Sequence, residues 1–78
     1  MVTPDDVKTY IQQGLDCGYI HVDGDGRHFE AVIVSREFEG KGMLQQHQLV
    51  YRVLGENMEN IHALSMKTFT PEQWANQA

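Results

Sequence analysis

The groups able to do chemistry in this sequence are four histidines, His21, His28, His47 and His62, one cysteine, Cys17, and two glycine-flanked turns. Neutral imidazole is a common ligand for transition metals. His21 shares parity with Tyr19 and Asp23, opposite Ile20 and Val22, and is expected in solvent without a role. His47 falls within a helical apolar stripe, where packing and a local hydrogen bond are expected of it. Cys17 has the acid Asp16 beside it and nothing in the neighbouring sequence that lowers its pKa. It reads as a small buried thiol, with an exposed redox thiol or a ligand as alternatives. Gly24-Asp25-Gly26 is followed by a β-rich run rather than a helix, so it reads as a hairpin turn and not a phosphate loop. Gly40-Lys41-Gly42 does precede a helical pattern, where an anion can sit, but Glu37 and Glu39 beside it argue against that. Spacing nominates no Ser-His-Asp set and no paired carboxylates, so an enzyme is not expected.

The elements that must position these groups are short. Thr3-Pro4-Asp5-Asp6 supplies a capping hydroxyl, a proline at the first helical position and acids in the first turn. Val7, Tyr10, Ile11 and Leu15 follow at helical spacing, and Gly18 is expected to end the helix. Tyr19 to Asp23 alternates as a strand. His28 to Ser35 is a second strand, joined to the first through the turn, and its apolar residues on both faces make it the central one. From Met43 a helical period returns, with Met43, His47, Val50, Tyr51 and Leu54 on one side, and Met58 and Ile61 suggest a further short helical piece. His62 to Phe69 alternates as a third strand. Thr70-Pro71-Glu72-Gln73 is a capping box that opens a last helical turn at Trp74.

The long, largely helical segment between the second and third strands suits a right-handed crossover joining parallel strands. The expected fold is therefore α+β: one domain over residues 1–78, a three-stranded mixed sheet with helices packed on one face, in the order α-β-β-α-α-β-α. Parallel pairing puts the starting ends of strands two and three at one sheet edge, about 4.8 Å apart. His28 and His62, 34 positions apart in sequence, are thereby expected to converge. Histidine can replace cysteine on one iron of a [2Fe–2S] cluster, but a cluster takes four ligands, so a partner would have to supply the rest.

Composition narrows the setting. Seventy-eight residues leave room for one small core. The longest apolar run, Ala31 to Val34, is far below the roughly 18 residues of a membrane span. The first residues lack the basic and apolar regions of a signal peptide. A single cysteine rules out an internal disulfide and a multi-cysteine zinc finger, and a reducing cytoplasm is the expected compartment. Six Lys and Arg against eleven Asp and Glu give a net charge of −5, which argues against general nucleic-acid binding.

Several segments taken together resemble the BolA family of small stress-associated proteins, and its IbaG-like branch most. They are Gly24-Asp25-Gly26-Arg27-His28-Phe29, Val32-Ile33-Val34-Ser35, Phe38-Glu39-Gly40, His47-Gln48-Leu49-Val50-Tyr51, His62-Ala63-Leu64-Ser65-Met66-Lys67-Thr68 and Thr70-Pro71-Glu72-Gln73-Trp74. The resemblance implies a class II KH-like fold and a partnership with monothiol glutaredoxins that carry the CGFS motif. It implies a [2Fe–2S] cluster shared in the heterodimer, the glutaredoxin giving its cysteine and a bound glutathione thiolate. This chain would give His62, before the third strand, and His28, from the hairpin loop. Cys17 is then not the loop ligand, and no cluster is expected on the isolated chain, as a monomer or weak homodimer. The family has also been described as DNA-binding transcriptional regulators of stress or envelope genes. That reading would place nucleic-acid contacts at Lys41, His47 and Arg52. Gln45 and Gln46 stand where a basic residue is common, and no Gly-x-x-Gly clamp is present.

Overall fold

The structure, a computed structural model, describes residues 1–77; Ala78, the last residue of the expected domain, lies outside the described residues. Helix α1 spans Pro4–Gly14. Its start is closed reciprocally: the Asp6 N–H donates to Thr3 Oγ1 at 3.1 Å, and the Thr3 N–H donates to Asp6 Oδ2 at 2.9 Å. The helix ends at Gly14 rather than at Gly18. Gly14 lies where α1 meets the second long helix, and a Cβ there would come within 2.7 Å of Val53 Cγ1. Leu15 turns extended and buries its side chain, and the chain enters strand β1, Cys17–Gly24, earlier than its alternation suggested. A bulge between Cys17 and Tyr19 accommodates the early start, with Cys17 opposite Ser35 and Tyr19 opposite Val34.

Strand β2, His28–Ser35, is central, paired antiparallel with β1 and parallel with β3, Ala63–Phe69. Its inward residues Phe29, Ala31 and Ile33 meet Val7 and Ile11 of the first helix, Leu15 just after it, and Val50 and Leu54 of helix α2, Met43–Leu54. A 3-10 turn at Arg36–Phe38 drives Phe38 fully into this core. A second 3-10 stretch, Gly55–Asn60, stands where a short helical piece was expected, and it delivers Ile61 to the core.

The inward face of α2 differs from its apolar pattern. Gln46, Val50 and Leu54 are buried, whereas Met43 is 70% and Tyr51 43% exposed. Gln46 can be buried because both ends of its amide are bonded: Nε2 donates to the Lys41 carbonyl at 2.9 Å, and Oε1 accepts from Thr68 Oγ1 at 2.7 Å. That link ties α2 to β3.

The two long helices share one face of the sheet, as expected. The short α3, Pro71–Ala75, sits over the other face, opened by the Thr70–Gln73 capping box. Trp74 stacks on Tyr19 at 5.1 Å and meets Phe69 at 5.3 Å. Tyr19, Val34 and Phe69 are neighbours on that face, and Val34 is buried although it is no part of the main core.

Candidate functional site

The starting edge of β2 and β3 gathers what the parallel pairing promised. His28 opens β2 opposite Ala63, and His62 directly precedes β3. Their ring centroids are 5.7 Å apart with planes at 86°. Both residues are exposed, so the pair is open to an approaching molecule. With metal–nitrogen bonds of about 2.0–2.1 Å and tetrahedral angles, two imidazoles on one ion have centroids roughly 5 Å apart. The observed pair is near that span without rearrangement of the backbone. Among the described residues no group of three or more His, Cys, Asp or Glu is placed to hold a metal ion. The pair by itself would offer a metal two nitrogen ligands. The residues fit a cluster whose other ligands come from a second molecule, with imidazoles on one iron.

The loop before His28 is tightly closed. Asp25 Oδ1 accepts the N–H groups of Arg27 and His28, each at 2.9 Å. Those two bonds, His28 first, hold the Asp25 carboxyl below the usual carboxylate range. Gly26 sits at φ +97°, which only glycine adopts without strain. The Arg27 carbonyl accepts the Ala63 N–H at 3.0 Å, pinning the loop to the start of β3. The sequence pattern identified Gly24-Asp25-Gly26 as a turn; the side-chain acceptor at its centre was an available signal, because aspartate caps its own backbone two or three residues on.

The other candidates separate. His21 is exposed on the outward face, away from the pair. His47 is half-buried, and its Nε2 is buried without a hydrogen-bond partner, so the expected local hydrogen bond is not formed there. Cys17 begins β1 rather than ending α1, is half-buried, and its thiol donates to the Leu15 carbonyl at 3.5 Å. Burial, then the charges of Asp16 and Glu37, push its pKa up. Lys41 and Arg52 line one shallow depression with Gln45 and Gln48, and His47 is not part of it. Neither cation has an acidic partner within 4.0 Å among the described residues.

Comparison with known proteins agrees with this architecture. The model of a family described as BolA-like protein matches residues 8–73. The chain belongs to the BolA family. It is 36% identical to mouse BolA-like protein 2, over 97% of this chain and 94% of the relative. It is 35% identical to the acid stress protein IbaG of Escherichia coli K12, over 90% of this chain and 86% of the relative. The solved structure of a BolA homologue from Coxiella burnetii superposes with a TM-score of 0.85 at 47% identity, covering 96% of this chain and 99% of that one. Other BolA-family relatives carry the name DNA-binding transcriptional regulator BolA; in Haemophilus influenzae the match spans 69% of this chain and 53% of the relative. No helix among the described residues is long and apolar enough to cross a membrane.

Proposed function

We propose that this chain is a non-enzymatic, cytoplasmic partner of a monothiol glutaredoxin carrying the CGFS motif, with which it shares a [2Fe–2S] cluster for iron–sulfur trafficking or iron and stress sensing. The observation that carries the reading is the juxtaposition of His28 and His62 at 5.7 Å on an open sheet edge, with no group of three or more His, Cys, Asp or Glu placed to hold a metal among the described residues. In this reading His62 and His28 would supply this chain's ligands to the cluster, and the glutaredoxin cysteine and a glutathione thiolate would supply the others. Bound there, the cluster would supply reversible ligand exchange and electron storage, and the chain would supply two imidazole nitrogens from one sheet edge. Cys17 takes no part, because its thiol is half-buried and held protonated. Co-purification with the cell's monothiol glutaredoxin, followed by an absorption spectrum, tests the partnership. A coloured heterocomplex whose spectrum differs from that of the glutaredoxin alone is expected. Separate elution of the two proteins under anaerobic, glutathione-containing conditions contradicts it.

A second reading, DNA binding, is favoured by one observation: Lys41 and Arg52 flank a common depression without acidic partners. Two cations on a chain of net charge −5 support only weak contact with phosphates.

A further inference from the structure

The antiparallel ladder of β1 and β2 ends at the Gly24–Phe29 pair, so on the β1 side His28 lies one residue beyond the register, while on the other side it faces Ala63 of β3. On the β1 side Asp25 takes over from the ladder. One carboxylate oxygen, Oδ1, accepts from both the Arg27 and the His28 N–H groups. The same loop is closed by the Asp25 N–H donating to the His28 carbonyl at 3.3 Å. The Arg27–His28 peptide, held at its N–H (that of His28) by Asp25, turns its carbonyl to the Ala63 N–H at 3.0 Å, the residue after His62. A single side chain thus sits at the junction of the two histidine-bearing segments. Its hold is on the backbone and not on the ring: Asp25 Oδ2 is 3.9 Å from His28 Nδ1, beyond hydrogen-bonding distance.

We propose that Asp25 is the positioning residue of the histidine pair, setting the separation of the His28 and His62 rings through the backbone bonds of its Oδ1 atom. This rests on the reading of those two histidines as one site. The mechanism requires an acceptor at Oδ1 and no negative charge, so asparagine serves in its place and alanine does not. Asp25 is exposed and outside the core, so its removal is expected to leave the packing of Phe29, Ile33 and Val50 intact.

NMR on the free chain tests this without any partner. At a 5.7 Å centroid separation the two rings give ring-to-ring NOEs. Asp25→Asn is expected to keep those NOEs, and Asp25→Ala to lose them while the amide spectrum of the core stays in place. In mixtures with cluster-loaded glutaredoxin, the Asp25→Ala spectrum is expected to move towards that of His28→Ala, and the Asp25→Asn spectrum to stay with the parent. Ring NOEs that survive in Asp25→Ala, or that vanish equally in both variants, overturn the assignment. If the parent forms no heterocomplex, the partner reading fails while the NOEs still decide the role of Asp25.

Discussion

Cys17 and the two paired histidines are separated by their surroundings more than by their chemistry. The thiol is half-buried, donates to the Leu15 carbonyl, and has its pKa pushed up by burial and by Asp16 and Glu37. A raised thiol pKa favours the neutral form in the folded chain, so its contribution to stability is fully present below the ordinary cysteine range and is lost as pH climbs through the raised value. Alkylation by iodoacetamide at neutral pH is therefore expected to run slower than for free cysteine, accelerating only in alkali. A neutral-pH rate matching that of free cysteine contradicts this. The histidine pair was legible in the sequence because a crossover between strands forces parallel pairing, and parallel pairing forces His28 and His62 to one edge. The role of Gln46 was not legible. It depends on which backbone carbonyl and which hydroxyl the fold brings within about 3 Å, and residue type alone does not set that.

The elements follow their local signals where those signals are backbone chemistry, and depart where tertiary contacts decide. The Thr3 cap formed, closed further by the Asp6 carboxylate, and so did the Thr70–Gln73 capping box. The inward face of α2 did not follow its apolar residues, because Gln46 is bonded at both ends by Lys41 and Thr68 while Met43 and Tyr51 face outward. The early start of β1 was hidden because Cys17 and Gly18 lack the branched or aromatic side chains that mark strands. Helix α3 is only five residues long and has no buried residue, so its cap and the Trp74 stack on Tyr19 must hold it. Thr70→Ala is expected to cost about 1 kcal/mol, a usual value for a lost cap. Urea denaturation followed by Trp74 fluorescence measures it. An unchanged midpoint would mean that the aromatic stack alone keeps α3 in place. The separation of the His28 and His62 rings at the opposite end of the sheet should not change in this variant.

At the scale of the whole molecule, the fold leaves one edge for the histidine pair and one depression beside α2 for Lys41 and Arg52, which have no acidic partner within 4.0 Å among the described residues. The net charge of −5 weighs against the second as a nucleic-acid surface. If Lys41 and Arg52 neutralise two phosphates, the logarithm of the DNA association constant should fall with the logarithm of salt with a slope of about −2. Titration of a duplex at rising salt is expected to give weak binding that is lost near physiological ionic strength. Tight, sequence-selective binding under those conditions would promote the regulator reading over the adaptor one. The α+β order and the mixed sheet were readable from periodicity and connection length. The placement of α3 on the far face was not, since a five-residue helix carries no stripe from which to read a side.

The most direct test is the absorption spectrum of each variant mixed with cluster-loaded monothiol glutaredoxin and compared with the glutaredoxin alone. His62→Ala should strip or reshape the heterocomplex spectrum. His28→Ala should do so less, because other groups can replace an exposed loop ligand, and Cys17→Ser should leave the spectrum as in the parent. Acidification should release the cluster from the parent complex, because protons compete with iron for the imidazole nitrogens. A His62→Ala complex with the parent's spectrum and stability, alongside a Cys17→Ser complex that loses them, would contradict the assignment of the histidine pair as the site.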